Sequence, residues 1–233
     1  MSDNTYTISV DNGLCNKLRA CFSGLRYARA NNLKFNVHWP VHPTECPAHF
    51  LDLFKPVKDI NFVGEDAEFD LTRANKWIGD RGHQLNHKYQ PVDIEYFAEL
   101  QPKDSIMSDV HQIISSRKSY ISVHLRHGLR YVKMAKLFEQ YTSPEEYVKK
   151  ISNGCDVYLA TDMQDIQQLF VDHFGDRLFY NKDISRKSTR IRDDKQSIHD
   201  AVVDMYVCIK SNDFFGSNMS SFTEIIQNIR ENK

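Results

Sequence analysis

The 233-residue sequence has little net charge and no long apolar run. Its 30 lysines and arginines balance 31 aspartates and glutamates, for a formal net charge of −1. This balance predicts no nucleic-acid partner and no attraction to an anionic membrane surface. No apolar stretch approaches the ~18 residues of a membrane-spanning helix, and the opening MSDNTYTISV lacks the basic region and apolar core of a signal peptide. We therefore expect no membrane span and a cytoplasmic location.

Cysteine is scarce, and the common nucleotide signatures are missing. The five cysteines are an odd number and include no C-x-x-C pair. That usage is typical of reduced thiols rather than of a disulfide framework. The sequence contains neither G-x-G-x-x-G nor the P-loop signature, which disfavours nicotinamide dinucleotide binding and ATP hydrolysis.

Strand and helix patterns alternate along the chain. The first half is predicted to form strands at 6–10 and 33–39 around a helix at 17–31, followed by long loops over 75–92. The second half is predicted to form strands at 119–125, 155–161, 177–181 and 213–217, and helices near 144–152, 163–174, 197–210 and 221–231. Strands that alternate with helices of this length indicate an α/β fold with parallel sheets in a Rossmann-like layout.

The segment from Glu99 to Val110 is the predicted junction between two domains. It holds a proline and four charged residues between two segments that each begin with a strand. We therefore predict one domain over 1–100 and another over 105–233, each long enough to bury its own core.

The stretch SYISVHLRHGLR ends a predicted core strand with costly polar groups. Its apolar residues Ile121, Val123 and Leu125 predict a buried face, and His124 and Arg126 lie on the opposite side. Ligands of parallel α/β sheets bind beyond the carboxyl ends of the strands. An arginine held there offers a planar fork for phosphate oxygens. A structural pair with a carboxylate is the alternative.

The stretch GSNMSSFTEII predicts the end of a strand, a small polar loop and a helix that begins near Ser221. The first N–H groups of a helix are unpaired and attract anions, and Ser220 and Ser221 add hydroxyl donors. The alternative is a capping box between Ser221 and Glu224, which needs no ligand.

Two further motifs carry weaker signals. Asp200 and Asp204 lie four residues apart on one side of the helix at 197–210, where an aspartate could accept hydrogen bonds from a nucleobase or ribose. A solvated helix face is the alternative. In the first half, DNGLCNK joins strand to helix, with Gly13 permitting a tight turn and Asn16 near the helix start. Asn16 could also be simply an N-cap.

Together these motifs resemble the fucosyltransferase superfamily of GT-B-like glycosyltransferases, which includes α1,6-, protein-O- and nodulation fucosyltransferases. The stretch ISVHLRHG resembles the family's H-x-R motif, and DVYLATD is similar to the strand motif of the α1,6 enzymes. The block VDMYVCIKSNDFFGSNMSSFTEII resembles the family's terminal block, and NGLCNKLRACFSGLRYARANNLKFNVHW resembles the opening of the nodulation enzymes.

The resemblance implies two Rossmann-like domains that face each other across a cleft, with the acceptor on 1–100 and a nucleotide sugar on 105–233. Arg126 would grip the donor diphosphate, Asp204 would bind the base, Ser220 and Ser221 would bind phosphate, and Phe222 would lie beside them. The implied catalytic residues are Arg126 and Asn16. The expected donor-binding residues are Gly13, His124, Arg126, Arg130, Asp162, Asp204, Ser217, Ser220, Ser221 and Phe222.

The expected reaction is transfer of fucose from GDP-fucose to a glycan hydroxyl with inversion at the anomeric carbon. The sequence has no Asp-x-Asp pair, so we expect neither a metal nor another cofactor, and the diphosphate charge would be neutralised by arginine and helix dipoles. The expected partners are the nucleotide sugar and a glycan or glycoconjugate acceptor. Two alternatives stay open: a glycosyltransferase that uses another UDP- or GDP-sugar, and a non-catalytic nucleotide- or sugar-binding module.

Overall fold

Each half of the chain folds around its own parallel β-sheet. A computed structural model describes residues 4–64, 76–78, 97–126, 129–151, 154–184 and 194–232, with the backbone alone at 76–78, 129–131 and 134. One unit is formed mainly by Met1–Lys103 with Arg192–Ile198, and the other by Asp104–Ile191 with His199–Glu231. The predicted α/β fold with parallel strands is confirmed.

Strands and helices alternate in both units. The elements up to Ile78 are β1 (Thr5–Val10), α1 (Leu14–Ala30), β2 (Lys34–His38), α2 (Phe50–Leu53), β3 (Ile60–Phe62) and β4 (Lys76–Ile78). The later elements are α3 (Asp104–Ile114), β5 (Tyr120–Leu125), α4 (Leu129–Leu137), α5 (Pro144–Lys150), β6 (Asp156–Thr161), α6 (Gln164–Phe174), β7 (Leu178–Phe179), α7 (Lys195–Lys210), β8 (Asp213–Gly216) and α8 (Ser221–Glu231).

The first sheet has the strand order β3-β2-β1-β4 within the described residues, and all of its pairs are parallel. Helix α1 buries its apolar stripe of Leu18, Phe22 and Leu25 completely. It ends where Asn32 adopts φ 53°, a left-handed conformation that asparagine tolerates better than most residues. The strand β4 corrects the prediction of loops over 75–92, because its three residues pair with β1. The other residues of that segment lie outside the described ranges.

The second sheet has the order β7-β6-β5-β8 within the described residues, again with parallel pairs. Its core lies between β5, β6 and the helices α5 and α6, with Val123, Val157 and Phe170 fully buried. Helix α5 begins with a capping box, in which Ser143 and Glu146 cap each other's backbone N–H groups. Because the strands are parallel, the carboxyl ends of β5, β6 and β8 meet at one edge of the sheet.

Candidate functional site

The strand β5 is buried on both faces, which differs from the expectation of a single buried face. Tyr120 and Ser122, on the polar side, are 4% and 0% exposed. The Tyr120 hydroxyl donates to the carbonyl of Val207 at 2.8 Å, and the hydroxyls of Ser122 and Ser211 lie 2.6 Å apart. The polar side of the strand is therefore covered by α7 and the turn that follows it, and hydrogen bonds satisfy its hydroxyls.

Arg126 follows β5 and is exposed. Its backbone N–H donates to the Ser217 hydroxyl at 2.9 Å, and the Ser217 N–H donates to the carbonyl of His124 at 3.0 Å. On the other side of β5, the Thr161 hydroxyl donates to the carbonyl of Leu125 at 2.9 Å. The backbone that carries Arg126 is thus fixed by both neighbouring strand ends, which places an exposed guanidinium at the edge where ligands of such sheets bind.

His124 is held as a neutral imidazole. Its Nδ1 lies 2.9 Å from the Thr223 hydroxyl, and its ring centroid lies 4.5 Å from that of Phe222, with the rings tilted by 34°. Burial and the nearby positive charge of Arg126 lower the pKa of His124 to about 3. A group with this pKa carries no charge at neutral pH, so His124 contributes hydrogen bonding rather than charge to the site.

The start of α8 leaves hydrogen-bond donors open. The Glu224 N–H donates to the carbonyl of Ser220 at 2.9 Å, which makes Ser220 the N-cap and rules out the alternative of a capping box led by Ser221. The Ser220 hydroxyl is buried and has no hydrogen-bond partner among the described residues. Nor, within the same part of the chain, do the N–H groups of Ser221, Phe222 and Thr223 have an acceptor. Donors without a partner at the positive end of a helix favour negative charge.

Gly216 and Thr223 form a close contact that the sequence analysis missed. A Cβ atom at Gly216 would lie 2.3 Å from Cγ2 and 2.7 Å from Oγ1 of Thr223. Only glycine therefore lets the first turn of α8 pack this closely on the end of β8. The carbonyl of Gly216 also accepts a hydrogen bond of 2.9 Å from the Tyr147 hydroxyl. A glycine at a strand end, seven residues before a threonine, was the available signal.

Asp204 lies on α7 in a polar cluster. The Tyr158 hydroxyl donates to its Oδ1 at 2.6 Å. Burial raises the pKa of Asp204 to about 7, with the hydrogen bond from Tyr158 opposing this rise and the charge of Asp200 adding to it. Asp200 is paired with Lys182. Asp204 is partly exposed rather than on a solvated face, and Tyr158 is a partner that sequence reasoning did not identify.

The first unit carries Gly13 and Asn16 at the start of α1. Gly13 is the N-cap and has an ordinary extended backbone with φ −67°, whereas Asn12 has φ 76°. The turn is therefore made by Asn12, which corrects the role given to Gly13. Asn16 lies inside the first helical turn and is partly exposed, so it is not an N-cap.

A buried lysine beside this turn was also missed. Lys17 is 0% exposed, donates to the carbonyl of Pro40 and lies 5.2 Å from the centroid of the Trp39 ring. Burial lowers the pKa of Lys17. These contacts join the start of α1 to the segment that follows β2, at the carboxyl edge of the first sheet.

Asp162 and Arg130 are the two remaining residues that were expected to bind the donor. Asp162 is exposed and follows the end of β6, and α6 begins two residues later, at Gln164, with Met163 as its N-cap. Arg130 lies in the first turn of α4, and its side chain lies outside the described part of the structure. Within the described residues, no group of three or more His, Cys, Asp or Glu side chains is arranged to hold a metal ion. No described helix is long and apolar enough to cross a membrane.

Known proteins with similar sequences and structures include fucosyltransferases. No protein-family model matches the chain. O-fucosyltransferase 36 of Arabidopsis thaliana is 27% identical over 201 residues, a match that covers 76% of this chain and 34% of that protein. The chain thus spans about a third of the length of this relative.

Two solved structures share the fold over almost the whole chain. Fucosyltransferase NodZ from Bradyrhizobium has a TM-score of 0.65 at 15% identity and covers 96% of this chain and 92% of its own. POFUT1 in complex with GDP has a TM-score of 0.64 at 12% identity and covers 99% and 96%. At these identities the likeness establishes the fold. The chain therefore has the α/β fold of the solved fucosyltransferases, and the resemblance to fucosyltransferases recognised from its sequence is confirmed.

Proposed function

We propose that the chain is a fucosyltransferase that moves fucose from GDP-fucose to a glycan hydroxyl, with inversion and without a metal ion. One observation carries this proposal: the exposed Arg126 and the open N-terminus of α8 are held at the same edge of the second sheet. The bond between the Arg126 N–H and Ser217, and the bond between His124 and Thr223, join the end of β5 to that helix start. The arrangement suits a diphosphate, because both groups favour negative charge.

The same groups suit the leaving group of glycosyl transfer. When an acceptor hydroxyl attacks the anomeric carbon, negative charge grows on the departing nucleoside diphosphate. A fixed guanidinium and aligned N–H groups stabilise that charge without reorganising as it forms. One preorganised donor of this kind typically contributes about 10²–10³ in rate. Cationic and dipolar groups thereby take the place that a divalent metal has in other sugar-nucleotide sites.

The choice of GDP rests on Asp204. Guanine presents two neighbouring N–H donors on one edge, which a carboxylate can accept together, whereas uracil presents a single N–H between two carbonyls. Tyr158 donates to Oδ1 of Asp204, and Asp204 is partly exposed; in this proposal its carboxylate accepts hydrogen bonds from the guanine edge. Known structures support the proposal: NodZ was solved with GDP and after soaking with GDP-fucose, and POFUT1 with both ligands.

The acceptor belongs to the first unit in this proposal. Asn16 lies in the first turn of α1, after the carboxyl end of β1, where it would position the acceptor hydroxyl. In this proposal the domain predicted over 1–100 binds the acceptor, and the domain predicted over 105–233 binds the nucleotide sugar. No residue is assigned as general base.

Thermal stability with GDP, UDP, CMP and ADP, each with and without magnesium, tests the proposal. A ligand that binds only the folded state stabilises it by about 2.7 kcal/mol at 100 times its dissociation constant. A rise in melting temperature with GDP alone, independent of magnesium, is the expected result. A rise with UDP alone would keep the site and reject the fucose donor. No rise with any nucleotide would reject donor binding.

Catalysis is tested separately from binding. Purified protein incubated with GDP-fucose should release free fucose slowly, because water replaces the missing acceptor. GDP binding without any release of fucose, even with candidate glycans added, would favour a non-catalytic nucleotide-binding module. The anomeric configuration of the product, read by NMR, tests inversion.

A further inference from the structure

The pair formed by His124 and Thr223 restricts where the imidazole proton can lie. The Thr223 hydroxyl lies 2.9 Å from Nδ1 of His124, and the two residues are 4% and 9% exposed. His124 is the only hydrogen-bond partner that the described residues offer to this hydroxyl. Either atom could in principle be the donor, because a neutral imidazole carries one proton on one of its two nitrogens.

The hydroxyl proton of Thr223 decides between the two tautomers. If Nδ1 carried the ring proton and donated it to Thr223, the hydroxyl proton would have no acceptor among the described residues. A buried donor left unsatisfied costs about 1–3 kcal/mol. If Thr223 donates to Nδ1 instead, both groups are satisfied, and the ring proton must lie on Nε2.

The packing around Thr223 keeps its side chain in this position. Thr223 packs directly against Gly216, in space that a Cβ atom at residue 216 would need, because such an atom would lie 2.3 Å from Cγ2 of Thr223. On the ring of His124, Phe222 packs at a centroid distance of 4.5 Å. Arg126 and burial both oppose a second proton on the imidazole. The ring is thus neutral, oriented by its neighbours and hydrogen-bonded at Nδ1.

We infer that Thr223 is a positioning residue, which donates to Nδ1 of His124 and thereby fixes the ring proton on Nε2. His124 then offers a neutral N–H donor, rather than an acceptor, to an anionic ligand at the end of β5. The nature of that ligand, a nucleoside diphosphate, rests on the proposed function, whereas the tautomer rests on the contact alone. Thr223 directly follows the expected donor-binding residues Ser220, Ser221 and Phe222, and the sequence predicted no role for it.

NMR of the imidazole nitrogens in ¹⁵N-labelled protein tests the inference directly. Protonated and unprotonated ring nitrogens give well-separated resonances, and His124 is assigned by its loss in a His124→Gln variant. The expected result for the unmodified protein at pH 7 is a single neutral tautomer with Nδ1 unprotonated. A ring proton on Nδ1 would overturn the inference, whatever ligand the site binds.

Two variants separate the hydroxyl from the methyl group of Thr223. Thr223→Val removes the donor and keeps the volume, so we expect a mixture of tautomers and a roughly three- to tenfold weaker affinity for GDP. Thr223→Ser keeps the donor, so it should restore the single tautomer. An unchanged tautomer in Thr223→Val, or a mixture in Thr223→Ser, would contradict the role of the hydroxyl. Absence of GDP binding in the unmodified protein would instead contradict the proposed function and leave the tautomer result valid.

Discussion

Replacing Gly216 with alanine should destabilise the second unit and displace Thr223 from His124. The added Cβ would meet Cγ2 of Thr223 at 2.3 Å and its Oγ1 at 2.7 Å, far inside the normal contact distance of about 3.5–4.0 Å. Overpacking of this kind costs about 1–3 kcal/mol. Losing the hydrogen bond to His124 adds about 0.5–1.5 kcal/mol. We therefore expect Gly216→Ala to lower the free energy of unfolding by roughly 2–4 kcal/mol.

The double variant Gly216→Ala with Thr223→Ala is the matched control. Truncating Thr223 removes both of the atoms that the new methyl group meets most closely, and the third contact, Phe214 Cζ at 2.9 Å, is the far end of a rotatable ring. The cost of the double variant should therefore be smaller than the sum of the single costs, with a coupling energy of about 1 kcal/mol or more.

Urea unfolding followed by circular dichroism measures these energies. Tryptophan fluorescence is unsuitable, because both tryptophans, Trp39 and Trp77, lie in the first unit. In a thermal scan, a loss of 2–4 kcal/mol corresponds to a fall in melting temperature of roughly 5–15 °C for a chain of this size. If Gly216→Ala unfolds within 0.5 kcal/mol of the unmodified protein, or if the two substitutions are additive, the close contact is not as described.

Three further substitutions test the site itself. Arg126→Ala should lower fucose transfer by about 10²–10³-fold with an unchanged melting temperature. The control variant Lys118→Ala, just before the start of β5, should transfer fucose at the normal rate. Equal activity of the two variants would show that Arg126 is not part of the site. Because burial raises the pKa of Asp204 to about 7, the folded state binds more protons than the unfolded state between about pH 4 and 7, so stability should fall as pH rises through that window. Asp204→Asn should flatten this fall, and GDP should bind the unmodified protein more tightly at pH 8 than at pH 6; an identical pH profile in the variant would refute the assignment. Ser220→Ala should weaken GDP binding without lowering the stability of the ligand-free protein, whereas Ser143→Ala, which removes a working helix cap, should cost about 0.5–2 kcal/mol and leave GDP binding intact.

The sequence was sufficient to predict the parts of the site that depend on local pattern. Alternation along β5 placed His124 and Arg126 at the end of a strand, and the change from a strand pattern to a helix pattern after Gly216 located the start of α8. Both patterns report the period of a single element. Parallel pairing then follows from the alternation of strands and helices, so the shared edge of the sheet could be predicted without coordinates.

The contacts that shape the site could not be predicted in this way. Thr223 meets His124 across 99 residues, and Tyr158 meets Asp204 across 46. No periodic pattern encodes which side chains face each other from different elements. The start of α8 was predicted at Ser221, where the structure has it, but the sequence did not decide whether Ser220 or Ser221 is the N-cap, because that depends on backbone hydrogen bonds.

The burial of Lys17 is another contact that the sequence pattern could not predict. Charged residues are almost never fully buried without a partner, and in the helical pattern of α1 Lys17 precedes the apolar position Leu18. Its partner is a backbone carbonyl, that of Pro40. Because every residue carries a backbone carbonyl, the sequence gives no signal for which one a lysine contacts. Burial of this lysine is therefore a property of the tertiary fold alone.

The late position of β8 in the chain has a consequence for how the protein is made. Synthesis produces β5 roughly ninety residues before its neighbour β8, since the bonded pair Arg126 and Ser217 is 91 residues apart. During that interval one side of β5 lacks its partner strand, and an open apolar strand edge invites pairing with other chains. The arrival of β8 closes that edge and, in the same event, brings Gly216 and the first turn of α8 against His124. The proposed site therefore forms only when β8 has paired with β5 in the newly synthesised chain.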